Sequence, residues 1–153
     1  MDDRIDFEAQ VRSSSFILHL QGDTKDAIIG ELIDALNRDG KLPDRDEALK
    51  VVMDREATMS TGLENGVALP HGKSMTVPKL VAAFGLKPEG VDFKALDGNP
   101  SNLFILVVSP VTHALQHIQF LAELGRALMC PAVCEKLLAV ETIGGVADVL
   151  TET

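Results

Sequence analysis

Apolar positions in the chain recur with two different periods, and the changes between them outline its elements. Phe16 to Leu20 is a short apolar stretch between a serine run and Gly22-Asp23, which predicts a strand. Ile28, Ile29, Leu32, Ile33 and Leu36 then recur at helical spacing. Asp23 is the expected cap of that helix, with Asp26 supporting its first turn, and Asn37 to Gly40 ends it. Pro43-Asp44 opens a second helix with Leu49, Val52 and Met53 as its core stripe. Glycines 62, 66 and 72 and Pro70 break all periodicity from Thr58 to Lys73, so this stretch reads as a loop with one short strand at Val67–Leu69. Leu80–Leu86 and Asn102–Val108 read as strands, the second so evenly apolar that both its faces must be buried. Gly90 to Phe93 and Leu96 to Pro100 are turn-rich. Three more helices follow: one marked by Leu115, Ile118, Leu121, Ala122 and Leu128, one opened by Pro131 with Val133, Leu137 and Leu138, and one over Val146 to Leu150. Strands interleaved with helices imply an α/β sandwich, a central sheet flanked by helices.

Composition narrows the function classes. A length of 153 residues, with 46% hydrophobic and 24% charged, suits a single domain with one core. The net charge of −9 argues against a nucleic-acid partner, since no cluster of Lys and Arg offsets it. Leu103 to Val108 is the longest apolar run, far short of a membrane span, and the charged opening MDDRIDFEAQ is unlike a signal peptide. Cys130 and Cys134 make no disulfide framework and read as buried or half-buried free thiols on a helix. A cytoplasmic domain without membrane insertion is expected.

Several chemistries can be tested on the residues. Gly72-Lys73-Ser74 ends like a phosphate-binding P-loop, but Val67 stands where the first glycine is needed and Pro70 removes a donor N–H. His113 and His117 share a helix face, yet no glutamate lies between them and no third ligand is evident, so no metal site is expected. There is no G-x-S-x-G, and neither cysteine lies near a glycine turn. His71 is the strongest candidate. Pro70 and Gly72 flank it, the upstream glycines permit tight turns with outward N–H groups, and such loops on rigid scaffolds are where function concentrates.

Arg55-Glu56-Ala57, Ser60-Thr61-Gly62, Asn65-Gly66 and Val67-Ala68-Leu69-Pro70-His71-Gly72 together resemble the signature of the fructose/mannitol-type enzyme IIA domains of the bacterial phosphoenolpyruvate-dependent sugar phosphotransferase system. The nitrogen-regulatory enzyme IIA branch shares that signature. Glu89 to Phe93, Leu96 to Gly98 and His117 to Leu124 match further segments, and the resemblance spans roughly residues 6 to 151. It implies the enzyme IIA sandwich fold. It also implies that His71 accepts a phosphoryl group from the histidine phosphocarrier protein and passes it to an enzyme IIB. Alternatively, the phosphorylation state of His71 controls binding to regulatory proteins.

By the same resemblance Arg55 is the active-site arginine, suited to hold phosphate oxygens, and His117 is the second active-site histidine, acting as a cation or an N–H donor. His117 is preferred to His113 because the Ile-x-x-Leu-Ala-x-Leu pattern follows it. Ser60 and Thr61 either donate to phosphate or cap the turn. Glu64 stands where relatives often carry glycine, and an outward orientation is expected for it. No cofactor is implied. Met59, Leu63, Val67 and Leu69 are the candidates for an apolar rim around His71, some of which must serve the core.

Overall fold

A computed structural model describes residues 5–152. Along the chain run α1 (Phe7–Arg12), β1 (Ser15–Ile17), α2 (Lys25–Arg38), α3 (Arg45–Thr58), β2 (Val67–Ala68), β3 (His71–Ser74), β4 (Val81–Val91), β5 (Ser101–Pro110), α4 (Ala114–Leu128), α5 (Pro131–Leu138) and α6 (Ile143–Thr151). The strands form one mixed sheet ordered β1-β4-β5-β2, with β3 also paired to β5. β4 and β5 are antiparallel, and β1, β2 and β3 pair in parallel with their neighbours. The expected α/β sandwich is present, and among the described residues no helix is long and apolar enough to cross a membrane.

Alternation along β5 divides the core between the two faces. Leu103, Ile105 and Val107 join Phe84, Phe120 and Leu124 on one side, toward α4. Phe104, Leu106 and Val108 join Phe93 and the Ile28, Ile29, Leu32, Ile33 and Leu36 stripe of α2 on the other. Each such side chain contributes about 1.5–3 kcal/mol by leaving water. β4 and β5 are therefore the spine of the fold.

The differences from the sequence reading are local. β1 covers only Ser15–Ile17. Thr24 rather than Asp23 caps α2, accepting from the Ala27 N–H. Asp23 instead takes the Lys87 ammonium at 2.9 Å. β4 continues through Gly90, which adopts φ +85°, so the expected turn there is partly strand. α1 carried too short a pattern to be read. On α4 the expected stripe is largely wrong: Leu115, Ile118 and Ala122 face solvent, while His117, Phe120, Leu124 and Leu128 are buried. A polar residue at the first buried position masked the true stripe. On α3 the buried face is Ala48, Val52 and Glu56, with Leu49 and Met53 half-buried. Cys134 is buried, but Cys130 is exposed.

The largest difference concerns residues 58–73. His71 is not in a loop but opens β3, pairing beside Val107 of β5. β2 and β3 share the same edge of β5, interrupted at Leu69-Pro70. An edge position tolerates the missing Pro70 N–H, while the Pro70 carbonyl still accepts from the Val107 N–H at 3.0 Å. Gly72 lets this edge lie directly on α3. A Cβ there would stand 3.0 Å from the Val51 carbonyl carbon and 3.0 Å from the Val52 nitrogen. Gly72→Ala should therefore cost about 1–3 kcal/mol, read as a lowered urea midpoint, because it pushes β3 off α3. An unchanged midpoint would show that the contact has slack.

Candidate functional site

His71, Gly72 and Lys73 of β3, Val51, Asp54 and Arg55 of α3, and His117 and Leu121 of α4 line one open cleft of about 540 Å³. Strand alternation accounts for two of these positions. His71 and Lys73 project to the same side of the edge strand, while Gly72 and Ser74 turn toward α3, where Ser74 donates to Glu47 at 2.6 Å. His117 comes from the N-terminal half of α4, and the two imidazole centroids are 5.4 Å apart at 56°. Three of the expected residues, Arg55, His71 and His117, are thus brought together. His113 is not among the lining residues.

The hydrogen bonds fix the chemistry of each ring. His71 Nδ1 lies 2.8 Å from the Leu69 carbonyl oxygen. A carbonyl only accepts, so Nδ1 carries the hydrogen and Nε2 keeps its lone pair. Burial lowers the His71 pKa, with the Leu69 carbonyl opposing and the positive charges of Arg55 and Lys73 adding to the decrease. The ring is therefore neutral around pH 7, with the Nε2 lone pair free. His117 is 5% exposed. Burial foremost, then the His71 and Lys73 charges, pushes its pKa down to about 4. Near neutral pH the His117 ring is therefore uncharged. Its Nδ1 lies 2.6 Å from Ser109 Oγ.

Arg55 sits in the last turn of α3, with Nη1 donating to the Met59 carbonyl at 2.9 Å. The nearby carboxylates are taken elsewhere: Asp54 pairs with Lys50 at 2.7 Å, and Glu56 with Lys25 at 2.7 Å. Among the described residues neither Arg55 nor Lys73 has an ion-pair partner, so two unneutralised cations face the cleft of an acidic domain.

Ser60 and Thr61 stand differently from the phosphate-binding reading. The Thr61 hydroxyl and N–H both donate to the buried Glu56 carboxylate, and Ser60 donates to the Phe93 carbonyl. The buried carboxylate requires donors, which Thr61 supplies, while Ser60 also accepts from the Gly62 N–H at 3.1 Å, as the turn-capping alternative has it. Lys25 completes the clamp with its ammonium 4.9 Å from the Phe93 ring centroid. Glu64 is exposed and lines a separate groove with Asn65 and Met129, in line with the expected outward orientation. Three contributors were missed: Lys73, Glu56 and Ser109. Strand alternation from His71 could have identified Lys73. Ser109 lay in the apolar run's polar exit and gave no signal.

The family described as the phosphoenolpyruvate-dependent sugar phosphotransferase system, EIIA 2, matches residues 10–153. The chain belongs to this family. A fructose-specific EIIA component of Haloferax volcanii is 39% identical over 129 residues, spanning 84% of each chain. The crystal structure of the nitrogen regulatory protein IIA-Ntr from Neisseria meningitidis superposes with a TM-score of 0.83 at 28% identity, covering 92% of this chain and 94% of that one. The Escherichia coli mannitol enzyme IIA, in complex with phosphorylated enzyme IIB, aligns with a TM-score of 0.77 at 25% identity, covering 92% and 96%. This EIIA domain therefore has the mannitol and nitrogen-regulatory IIA fold, within a phosphoryl-transfer system.

The depressed His117 pKa links stability to pH. Below about pH 6.5 the unfolded chain binds a proton at His117 that the folded domain refuses until about pH 4. Stability should fall as pH falls through that window, by on the order of 3 kcal/mol from this group. His71 acts in the same direction. Urea unfolding at pH 5 and pH 7 should show a smaller acid loss for His117→Gln than for wild type. Equal losses would contradict the buried, neutral His117.

Proposed function

We propose that the domain is a phosphohistidine carrier: His71 accepts a phosphoryl group from the histidine phosphocarrier protein and delivers it to an enzyme IIB for sugar uptake. One observation carries this reading. With Nδ1 held by the Leu69 carbonyl, His71 Nε2 presents a lone pair in a cleft whose cations have no carboxylate partners among the described residues.

Transfer balances without a cofactor. The Nε2 lone pair attacks phosphorus in line while the donor's P–N bond breaks, returning the donor imidazole its electron pair. The positive charge developing on the His71 ring is stabilised through Nδ1–H and the Leu69 carbonyl oxygen. Arg55 and Lys73 balance the charge on the three phosphoryl oxygens, and positioning with electrostatics is most of what this chemistry demands. Delivery runs the same step outward, to a cysteine or histidine of the acceptor.

Docking would take place on the cleft's rim, in the cytoplasm. Val67 and Leu69, two of the expected rim residues, are buried and serve the core. The exposed apolar side chains Met59, which directly follows α3, and Leu115 and Ile118 on α4 are the better candidates, beside Arg55 and His117 along the chain. A second reading uses the same phosphorylation as a regulatory signal, and the likeness to the Neisseria IIA-Ntr structure favours it. Acceptor choice separates the two: label passing to an enzyme IIB supports uptake, while phosphorylation-dependent binding to other proteins supports regulation.

Intact-protein mass after incubation with phosphoenolpyruvate, enzyme I and the phosphocarrier protein should show one phosphoryl adduct. His71→Ala should abolish it with the fold retained, and a variant still labelled at the wild-type rate would overturn the assignment. Arg55→Ala and His117→Ala should slow labelling by about 10- to 1,000-fold without removing the acceptor.

A further inference from the structure

Ser109 occupies β5 directly opposite Lys73 of β3, two residues beyond Val107, the partner of His71. Its side chain therefore emerges on the same face as both cleft residues of the edge strand. The residue is fully buried, and its hydroxyl reaches His117 Nδ1 at 2.6 Å. Among the described residues the hydroxyl has no other hydrogen-bond partner.

We infer that Ser109 sets the tautomer of His117, keeping Nδ1 as the acceptor and Nε2 as the N–H presented to the cleft. A hydroxyl hydrogen sealed from water needs an acceptor, and among the described residues His117 Nδ1 is the only hydrogen-bond partner of Ser109 Oγ. Were Nδ1 protonated, it would donate to Ser109 Oγ and leave that hydroxyl hydrogen buried without a partner. The bond therefore runs from Ser109 Oγ–H to Nδ1. His117 Nε2 then carries the hydrogen. That nitrogen has no partner among the described residues and is not among the buried unpartnered atoms, so it is open to the cleft.

The two rings are thereby set in opposite tautomers, one by a backbone carbonyl and the other by a side-chain hydroxyl. The Leu69 carbonyl makes His71 Nε2 a bare lone pair. Ser109 makes His117 Nε2 a donor. A phosphoryl group arriving at His71 would meet an N–H on His117 rather than a second lone pair, which would repel its oxygens. Ser109 touches neither phosphate nor partner. It is a positioning residue acting through His117, and its role in transfer rests on the phosphocarrier reading above.

Long-range 1H–15N correlation spectra of the unphosphorylated wild-type protein at pH 7 read the tautomer directly. The expected result for His117 is a pyridine-type Nδ1 and a pyrrole-type Nε2, and the reverse pattern overturns the inference. Ser109→Ala should blur that assignment toward a mixture of tautomers and slow His71 labelling by about tenfold. Ser109→Thr, which keeps the hydroxyl, should restore both. A Ser109→Ala protein that keeps the single wild-type tautomer also overturns the inference. Because the tautomer is read without phosphate, its failure is distinct from a failure of His71 to be labelled, which would sink only the carrier function.

Discussion

The 2.8 Å hydrogen bond from His71 Nδ1 to the Leu69 carbonyl is the interaction on which the site depends. It decides which nitrogen keeps its lone pair and holds the ring against rotation. The bond is possible because the chain breaks its edge strand at Leu69-Pro70, so that a carbonyl two residues back lies beside the imidazole. That break is in turn fixed from both sides: by pairing of β2 and β3 to β5, and by the contact of Gly72 with α3. Backbone geometry at an edge strand, set by one proline and one glycine, thus determines which nitrogen of His71 is left with a lone pair.

Charge around that nitrogen is arranged against the trend of the molecule. The chain carries a net charge of −9, yet Arg55 and Lys73 reach the cleft without carboxylate partners among the described residues. Glu56 could have neutralised them. Instead it is turned inward, where Lys25 and Thr61 satisfy it and where it ties the end of α3 to the following loop. Both imidazoles are kept neutral by burial, with nearby positive charge reinforcing the effect. The result is a cleft prepared for an anion yet retaining a free lone pair, two properties that oppose each other in any site where the histidine is charged.

The sequence carried the sheet's spine and the principal residues, but not the way they are held. The even apolar run Leu103–Val108 marked the central strand because both its faces are buried. Arg55, His71 and His117 were legible through the signature they share with enzyme IIA domains, and the structure brings them to one cleft. β3 was not legible, because four residues containing a glycine show no alternation and an edge pairing leaves no apolar imprint. The buried face of α4 was misread because it begins with a histidine, whose burial is a tertiary effect. Ser60 and Thr61 were ambiguous for a related reason: a hydroxyl beside a site looks the same in sequence whether it faces the ligand or, as here, a backbone carbonyl or a buried carboxylate.

The nitrogen that bears the phosphoryl group is the most direct test of this account. The protein, labelled with 15N and phosphorylated through phosphoenolpyruvate, enzyme I and the phosphocarrier protein, should show phosphorus coupled to Nε2 of His71, with Nδ1 still protonated against Leu69. Phosphate on Nδ1 of His71, or on any other residue, would contradict it.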